Sequence, residues 1–358
     1  MTDGEKLLSW YDLHSRDLPW RENTDPYPVW VSEVMLQQTR VETVIPYFYR
    51  FLEEFPSVEE LAAAPVDRVL VLWSGLGYYR RARQMHAAAR VVAEMGGEFP
   101  SSAKQLQALP GIGPYTSAAI ASISFGEMVP VVDGNVERVV SRRLALKEFP
   151  RSKAGRAAIS KAAKELLVLD RPGDGNQAIM ELGATVCIPR APLCSGCPIF
   201  EGCLAKERDE VGSYPRQPAK KPVKRMRRRV AVVVDGERIL LFRRPDESIL
   251  LAGTWELPWV ESSVKKDEDL SASENELTNT YGGLWRLTQQ QGEVRHSITF
   301  RALVLEIHFA ELSSSGELAE NVEAGWFLPK ELSGLPLSSQ VFKALKKVGL
   351  CPSGGAAA

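Results

Sequence analysis

The chain has 358 residues, 44% of them apolar and 25% charged, with a formal net charge of −1. That composition belongs to a globular protein long enough for two domains, and it excludes collagen, wholesale disorder and a disulfide-stapled mini-protein. No apolar run reaches the roughly 18 residues of a membrane span, and the N-terminus lacks the pattern of a secretory signal. A cytoplasmic protein with no membrane partner is therefore expected.

In chain order, residues 1–205 read as almost wholly helical. Val41, Val44, Ile45, Phe48, Phe51 and Leu52 recur at helical spacing. Similar patterns cover residues 67–74, 79–95, 115–125, 134–146, 154–169 and 174–187. The breaks carry Pro and Gly, as in Asp25-Pro-Tyr-Pro, Gly96-Gly97 and Arg171-Pro-Gly. Short helices with short loops predict a mainly α domain over residues 1–205.

Within it, Leu106-Gln-Ala-Leu-Pro-Gly-Ile-Gly-Pro-Tyr sets a Gly-rich turn between two helices. Gly111 and Gly113 permit backbone conformations barred to other residues and leave amide N–H groups uncovered at the next helix start. Such a start binds anions, and DNA phosphate is the evident candidate; an ordinary tight turn is the alternative. Further on, Asp133 in Val131-Val-Asp-Gly-Asn-Val precedes a new amphipathic helix. It is either an N-cap or a carboxylate at the mouth of a DNA groove.

Four of the five cysteines fall within 17 residues, as Cys187, Cys194, Cys197 and Cys203. In a reducing compartment such a group predicts metal ligands rather than disulfides. Zinc sites generally use two short Cys knuckles, whereas only Cys194–Cys197 is short here. A larger cubane cluster suits the wider arms better.

Charge divides unevenly along the chain. Residues 1–204 hold 22 basic and 24 acidic side chains, residues 211–229 hold 8 basic and none acidic, and residues 230–358 hold 12 basic and 18 acidic. The Pro-containing basic stretch predicts a linker over 206–229. Beyond it, Asp235-Gly236 between apolar runs predicts a β-hairpin, Ser297–Phe309 alternates like a strand, and Val341–Val348 reads as a helix. An α+β domain is expected over 230–348, then a frayed tail over 349–358.

The hairpin, Asp133 and the cysteine loop together resemble the helix–hairpin–helix DNA glycosylases that carry an iron–sulfur cluster. The resemblance covers most of residues 5–204. Two types compete within that family. The endonuclease III type has a Schiff-base lysine two places after Gly113, where this chain has Tyr115. Trp30-Val-Ser-Glu-Val-Met-Leu-Gln-Gln-Thr and Gly75-Leu-Gly-Tyr-Tyr are instead similar to the MutY type, adenine glycosylases with a C-terminal domain of Nudix-like fold.

That resemblance implies monofunctional release of adenine mispaired with 8-oxoguanine or guanine in double-stranded DNA, by a monomer holding one [4Fe–4S] cluster on the four cysteines. It implies Glu33 as the acid protonating adenine N7. The apolar helix around Glu33 independently predicts a raised pKa. Asp133 would stay ionised, held so by its helix start, and stabilise the sugar cation, with Tyr115 and Asn135 orienting the intermediate. Gln38 and Tyr78 would wedge into the base stack, a buried core role being the alternative for Tyr78. Trp20, Arg21 and Gln177 match adenine-pocket positions. Arg80, Arg81 and Arg83 either contact phosphates or are simply solvated.

The family's Phe-Ser-His loop toward 8-oxoguanine corresponds here to Ile298-Thr-Phe, so Thr299 would supply the hydroxyl. The Glu-rich magnesium helix of working Nudix enzymes is missing from the sequence, and no pyrophosphatase activity is expected. A pyrimidine-specific lyase, a non-catalytic damage binder and a zinc-binding regulator are the competing readings.

Overall fold

Helices dominate residues 1–207 and strands residues 224–327, as the change of apolar period near residue 206 predicts. The computed structural model describes residues 1–218, 222–248, 250–262, 270–298, 301–320 and 322–351. The chain divides into one unit of Met1–Ala63 with Gln84–Lys220 and a second of Ala64–Arg83 with Lys221–Ala358.

The helices, in chain order, are α1 (Asp3–His14), α2 (Pro26–Met35), α3 (Val41–Glu54), α4 (Val58–Ala63), α5 (Val66–Leu72), α6 (Arg80–Glu94), α7 (Ala103–Leu106), α8 (Pro114–Phe125), α9 (Gly134–Leu144), α10 (Lys153–Glu165), α11 (Pro172–Thr185), α12 (Leu204–Glu207), α13 (Leu270–Tyr281) and α14 (Ser339–Lys347). The strands are β1 (Lys224–Val232), β2 (Val234–Asp235), β3 (Arg238–Arg243), β4 (Trp255–Glu256), β5 (Trp259–Ser262), β6 (Gly282–Ile298), β7 (Arg301–Leu318) and β8 (Ala324–Phe327). Among the described residues no helix is long and apolar enough to cross a membrane.

The helix starts of the first unit are written in its polar residues. Thr2 and Glu5 form a capping box on α1, Asp25 accepts the Tyr27 amide at 2.9 Å, and Ser152 caps α10. Proline opens α2, α8 and α11, where its missing N–H costs nothing. Almost all of α2 is buried, which makes it a core helix rather than an amphipathic one. It packs on α3 and α8, and α11 packs on α1, α8 and α9. Leu7, Val136, Val140, Ile159, Ile179 and Leu182 fill the space between α1, α9, α10 and α11.

The second unit holds two sheets. One runs β5-β1-β7-β6, with β1 parallel to β7; the other joins β2, β3 and β4, with β8 on β3. Val230, Val232, Ile307, Val341 and Leu345 form one core, and Ala231, Phe242, Tyr281 and Trp285 another. The segment Ala64–Arg83, helical in sequence character, packs here: Ser74 and Tyr79 hydroxyls both donate to the Leu337 carbonyl.

Two expectations are corrected. The basic linker ends earlier than residue 229, because Lys224–Arg229 lies in β1. Strand alternation explains it. Arg227 and Arg229 point to one face and pair with Glu306 on β7, while Arg228 on the other face lies 3.6 Å from the centre of the Trp259 ring. Likewise Ser297–Phe309 is not one strand. Its two ends belong to β6 and β7, which pair antiparallel with Ile298 opposite Arg301. The hairpin at Asp235-Gly236 is present as β2 against β3, although the apolar run before it divides between the two sheets after Val232.

Candidate active site

Within the first unit a cavity of about 670 Å³ is lined from α2, α8, α9 and α11. Its size lies in the range of about 300–1,000 Å³ common for small-molecule sites. It brings together Trp20, Arg21, Glu33, Gln38, Tyr115, Asp133, Asn135 and Gln177.

Glu33 lies on the core helix α2 and is 6% exposed. Burial pushes its carboxyl up to about 7; the Tyr115 hydrogen bond opposes the rise, the Asp133 charge adds to it, and the Arg21 charge opposes it. The Tyr115 hydroxyl, at the first turn of α8, donates to Glu33 Oε2 and lies 3.8 Å from Met180 Sδ on α11. Burial, with the two neighbouring carboxylates, holds the Tyr115 phenol well above its ordinary value, so it remains a donor.

Asp133 caps α9, the first of the two readings of its sequence position, and it also lines the cavity. Oδ1 accepts the Val136 amide at 2.7 Å and Oδ2 accepts Asn135 Nδ2 at 2.8 Å. Asn135 Oδ1 in turn accepts from Arg138 Nη2 at 2.9 Å. One expectation is corrected here. The helix start does not lower the Asp133 pKa outright: burial raises it, and the Val136 and Asn135 bonds offset only part of that rise. Asn135 also needs a glycine opposite. A Cβ on Gly183 of α11 would sit 2.6 Å from Asn135 Cβ.

The third wall is an ion network that the sequence motifs do not announce. Glu181 on α11 is 1% exposed, and its oxygens accept Arg16 Nε at 2.6 Å, Arg16 Nη2 at 3.0 Å and Arg21 Nη2 at 2.9 Å. Burial raises its carboxyl, and the arginine contacts outweigh that and leave it below the ordinary value. Arg21 also donates from Nε to Gln177 Oε1 at 3.1 Å. Trp20 packs edge-on against Phe48, with ring centres 5.5 Å apart. The one available sequence signal was a glutamate four residues after Gln177 on an apolar helix.

Gln38 is exposed at the cavity with φ of 62°, a left-handed backbone that a side chain other than glycine adopts only under local constraint. Other predicted residues lie apart from the cavity lining. Gly111 has φ of 73°, whereas Gly113 has φ of −89° and ψ of −179°, extended backbone open to any residue. The left-handed requirement therefore applies to Gly111 alone; Gly113 is the N-cap of α8.

Tyr78 belongs to the second unit. It is 44% exposed with φ of 50°, so it is not a buried core aromatic. Arg81 and Arg83 are not simply solvated. Arg81 lies over the Trp73 and Tyr78 rings and donates to the Leu76 and Gly77 carbonyls, and Arg83 pairs with Asp246. Thr299 lies outside the described residues.

Cys187, Cys194, Cys197 and Cys203 line one small hollow with Val139, Leu182, Val186 and Ile199. Among the described residues no three His, Cys, Asp or Glu side chains converge tightly enough for a single metal ion. Four thiols around one hollow form the donor set of a thiolate-held metal group. Arg142, 2% exposed, fastens this loop to α9 by donating to the Cys187, Ile188 and Pro189 carbonyls and to Cys187 Sγ.

Residues 31–165 match the family model of the HhH-GPD superfamily of base excision DNA repair proteins, and residues 229–347 match that of the NUDIX domain. The fold and the carboxylate-lined cavity thus define a helix–hairpin–helix DNA glycosylase with a Nudix-like C-terminal domain. Among solved structures, a thermostable thymine-DNA glycosylase shares 28% identity with a TM-score of 0.53, covering 57% of this chain and 95% of that one. Over 96% of its length the chain is 38% identical to the adenine DNA glycosylase of Mus musculus, of which 76% is covered. It is 37% identical to that of Homo sapiens, of which 72% is covered. The chain belongs to the adenine DNA glycosylase family.

Proposed function

We propose that the chain hydrolyses the N-glycosidic bond of adenine mispaired with 8-oxoguanine or guanine in double-stranded DNA, as a monomeric, monofunctional glycosylase. The observation that carries this reading is the pair of carboxyls in one cavity with unlike surroundings. Glu33 is buried with a phenol as its hydrogen-bond donor, and Asp133 accepts from a helix-start amide and from Asn135. Two carboxyls so placed divide into an acid and an anion, the arrangement that glycoside hydrolysis requires.

The adenine must leave the duplex to enter the cavity. Glu33, protonated up to about pH 7, gives its proton to N7, and the C1′–N9 electron pair departs with the base. Asp133 faces the resulting oxocarbenium charge. Water then adds to C1′ and its proton returns to the carboxyl pair. Tyr115 keeps Glu33 oriented, and its phenol offers no amine for a Schiff base, which supports hydrolysis without strand cleavage.

The Gly111–Gly113 turn, Gln38 and Tyr78 are the proposed DNA contacts of this reading, and the Nudix-like domain is the proposed reader of the opposite base. The four cysteines are proposed to hold one [4Fe–4S] cluster, which when bound would cross-link a loop that has little core of its own. Iron and sulfide analysis with absorbance near 400 nm tests that assignment; a zinc-only protein refutes it.

The function is tested by single-turnover adenine release from duplexes with adenine opposite 8-oxoguanine, guanine or thymine, run beside Glu33→Gln. Release from the first two, abolished by the substitution while DNA binding persists, is expected. Release that survives Glu33→Gln overturns the mechanism.

A further inference from the structure

The loop that presents Tyr78 is held in a conformation that its own residues only partly favour. Gly75 has φ of 104°, Gly77 of 69° and Tyr78 itself of 50°. Glycine adopts such values freely, but a tyrosine there carries a steric cost that its surroundings must offset. The Tyr78 ring is 44% exposed, so its own burial offsets little of that cost. Support comes from the residues on either side. Trp73 Nε1 donates to the Gly77 carbonyl at 3.1 Å, and Arg81 Nη2 donates to the Leu76 and Gly77 carbonyls at 3.1 and 3.2 Å.

The flanks of the loop are fastened in turn to residues far along the chain but in the same unit. Tyr79, 3% exposed, donates from its hydroxyl to the Leu337 carbonyl at 2.5 Å, and the Ser74 hydroxyl donates to the same oxygen at 3.0 Å. The two hydroxyl oxygens lie 3.4 Å apart, and the two lone pairs of the carbonyl take one hydrogen from each. Leu337 is fully buried and bridges to Trp255 of β4, whose amide donates to the Pro336 carbonyl at 2.9 Å. The acceptor is thus fixed by the backbone of the Nudix-like domain. Arg83 ties the far end of the segment, donating to Asp246 at 2.7 Å and to the Ala252 carbonyl at 3.3 Å.

We propose that the Leu337 carbonyl, clasping Ser74 and Tyr79, sets the left-handed turn at Tyr78, so that the Nudix-like domain positions the ring that enters the base stack. Ser74 and Tyr79 are positioning residues; Tyr78 is the group that touches DNA. This rests on the reading of Tyr78 as a DNA contact given above. Without the two hydroxyls a buried carbonyl loses both donors, and the residues flanking Tyr78 lose the anchor that fixes their spacing. The loop then relaxes toward the right-handed or extended backbone that a tyrosine prefers, and the exposed ring leaves its stacking position.

The test uses the full chain carrying Glu33→Gln, so that nothing is excised, and a duplex with 2-aminopurine beside an adenine:8-oxoguanine pair. That base brightens when its neighbour no longer stacks on it. The rise at saturating protein is measured for this parent and with Tyr79→Phe, Ser74→Ala, both together, or Tyr78→Ala added, beside the melting temperature of each free protein. In the double variant the rise is expected to fall to about half or less, since two lost hydrogen bonds shift the insertion equilibrium about threefold to tenfold; each single variant takes a smaller step. A role in folding alone lowers the melting temperature but leaves the rise of the bound, folded protein at the parent value, which overturns the proposal. If the double variant fails to fold, the two single variants decide it by the same criterion. A full rise with Tyr78→Ala is a different failure, that of Tyr78 as the wedge.

Discussion

Glu33→Gln tests the electrostatics of the cavity without any DNA. The folded protein holds this carboxyl at about 7 against an ordinary 4.5, chiefly by burial. Its raised value means that the native state binds the proton more tightly than the unfolded chain does. Below about pH 4.5 both states are protonated and Glu33 is buried without a charge penalty. As the pH climbs from there to about 7 the unfolded chain loses its proton first and native stability is drawn down; above 7 the loss is complete. At about 1.4 kcal/mol per pH unit, the interval between 4.5 and 7 amounts to about 3 kcal/mol.

Glutamine keeps an acceptor for Tyr115 but has no charge to bury. Denaturant unfolding of both proteins between pH 5 and pH 8 should therefore show the variant gaining on the wild type as pH rises, by about 2–3 kcal/mol across the range. Parallel curves would mean that the Glu33 carboxyl titrates normally, and the acid role argued for it would fall with that result.

Four further outcomes follow from the same geometry. Adenine release should decline as pH rises through about 7, and Tyr115→Phe, which removes a hydrogen bond that lowers the Glu33 pKa, should move that decline to higher pH in a single-turnover pH profile. Asp133→Asn should lose turnover while costing the α9 cap about 1 kcal/mol or less in unfolding experiments. Gly183→Ala would press a methyl on Asn135, so about 1–3 kcal/mol of stability and part of the excision rate should be lost together. Arg142→Met should cost about 3 kcal/mol or more in thermal unfolding, because it leaves several buried carbonyls without a donor.

The parts of this molecule legible in its sequence are those fixed by local rules. Glu33 was singled out by the resemblance of its motif, with the apolar helix around it adding the expectation of burial, and Asp133 stood out because short acidic residues before amphipathic helices cap them. Both are in the cavity. The Arg16–Glu181–Arg21 network was not legible, since its partners lie 165 and 160 residues apart and pair only through the packing of α11.

The basic stretch misled for a related reason. Charge density over Lys224–Arg229 suggested solvent, but strand alternation sends Arg227 and Arg229 to Glu306, 79 residues away from Arg227. Gly113 shows the limit from the other side. A glycine can mark an open surface over a helix start as readily as a left-handed turn, and composition alone does not separate the two.

Helix α9 carries Asp133 at one end and Arg142 in its last turn, roughly 13 Å along the axis at about 1.5 Å per residue. The clasp on the four-cysteine loop and the Asp133 carboxylate on which the proposed mechanism relies are thus two ends of one helix. If the proposed mechanism holds, anything that unseats that loop, such as a mutation at a cysteine, would reach the chemistry mechanically and be felt first as a misplaced Asp133.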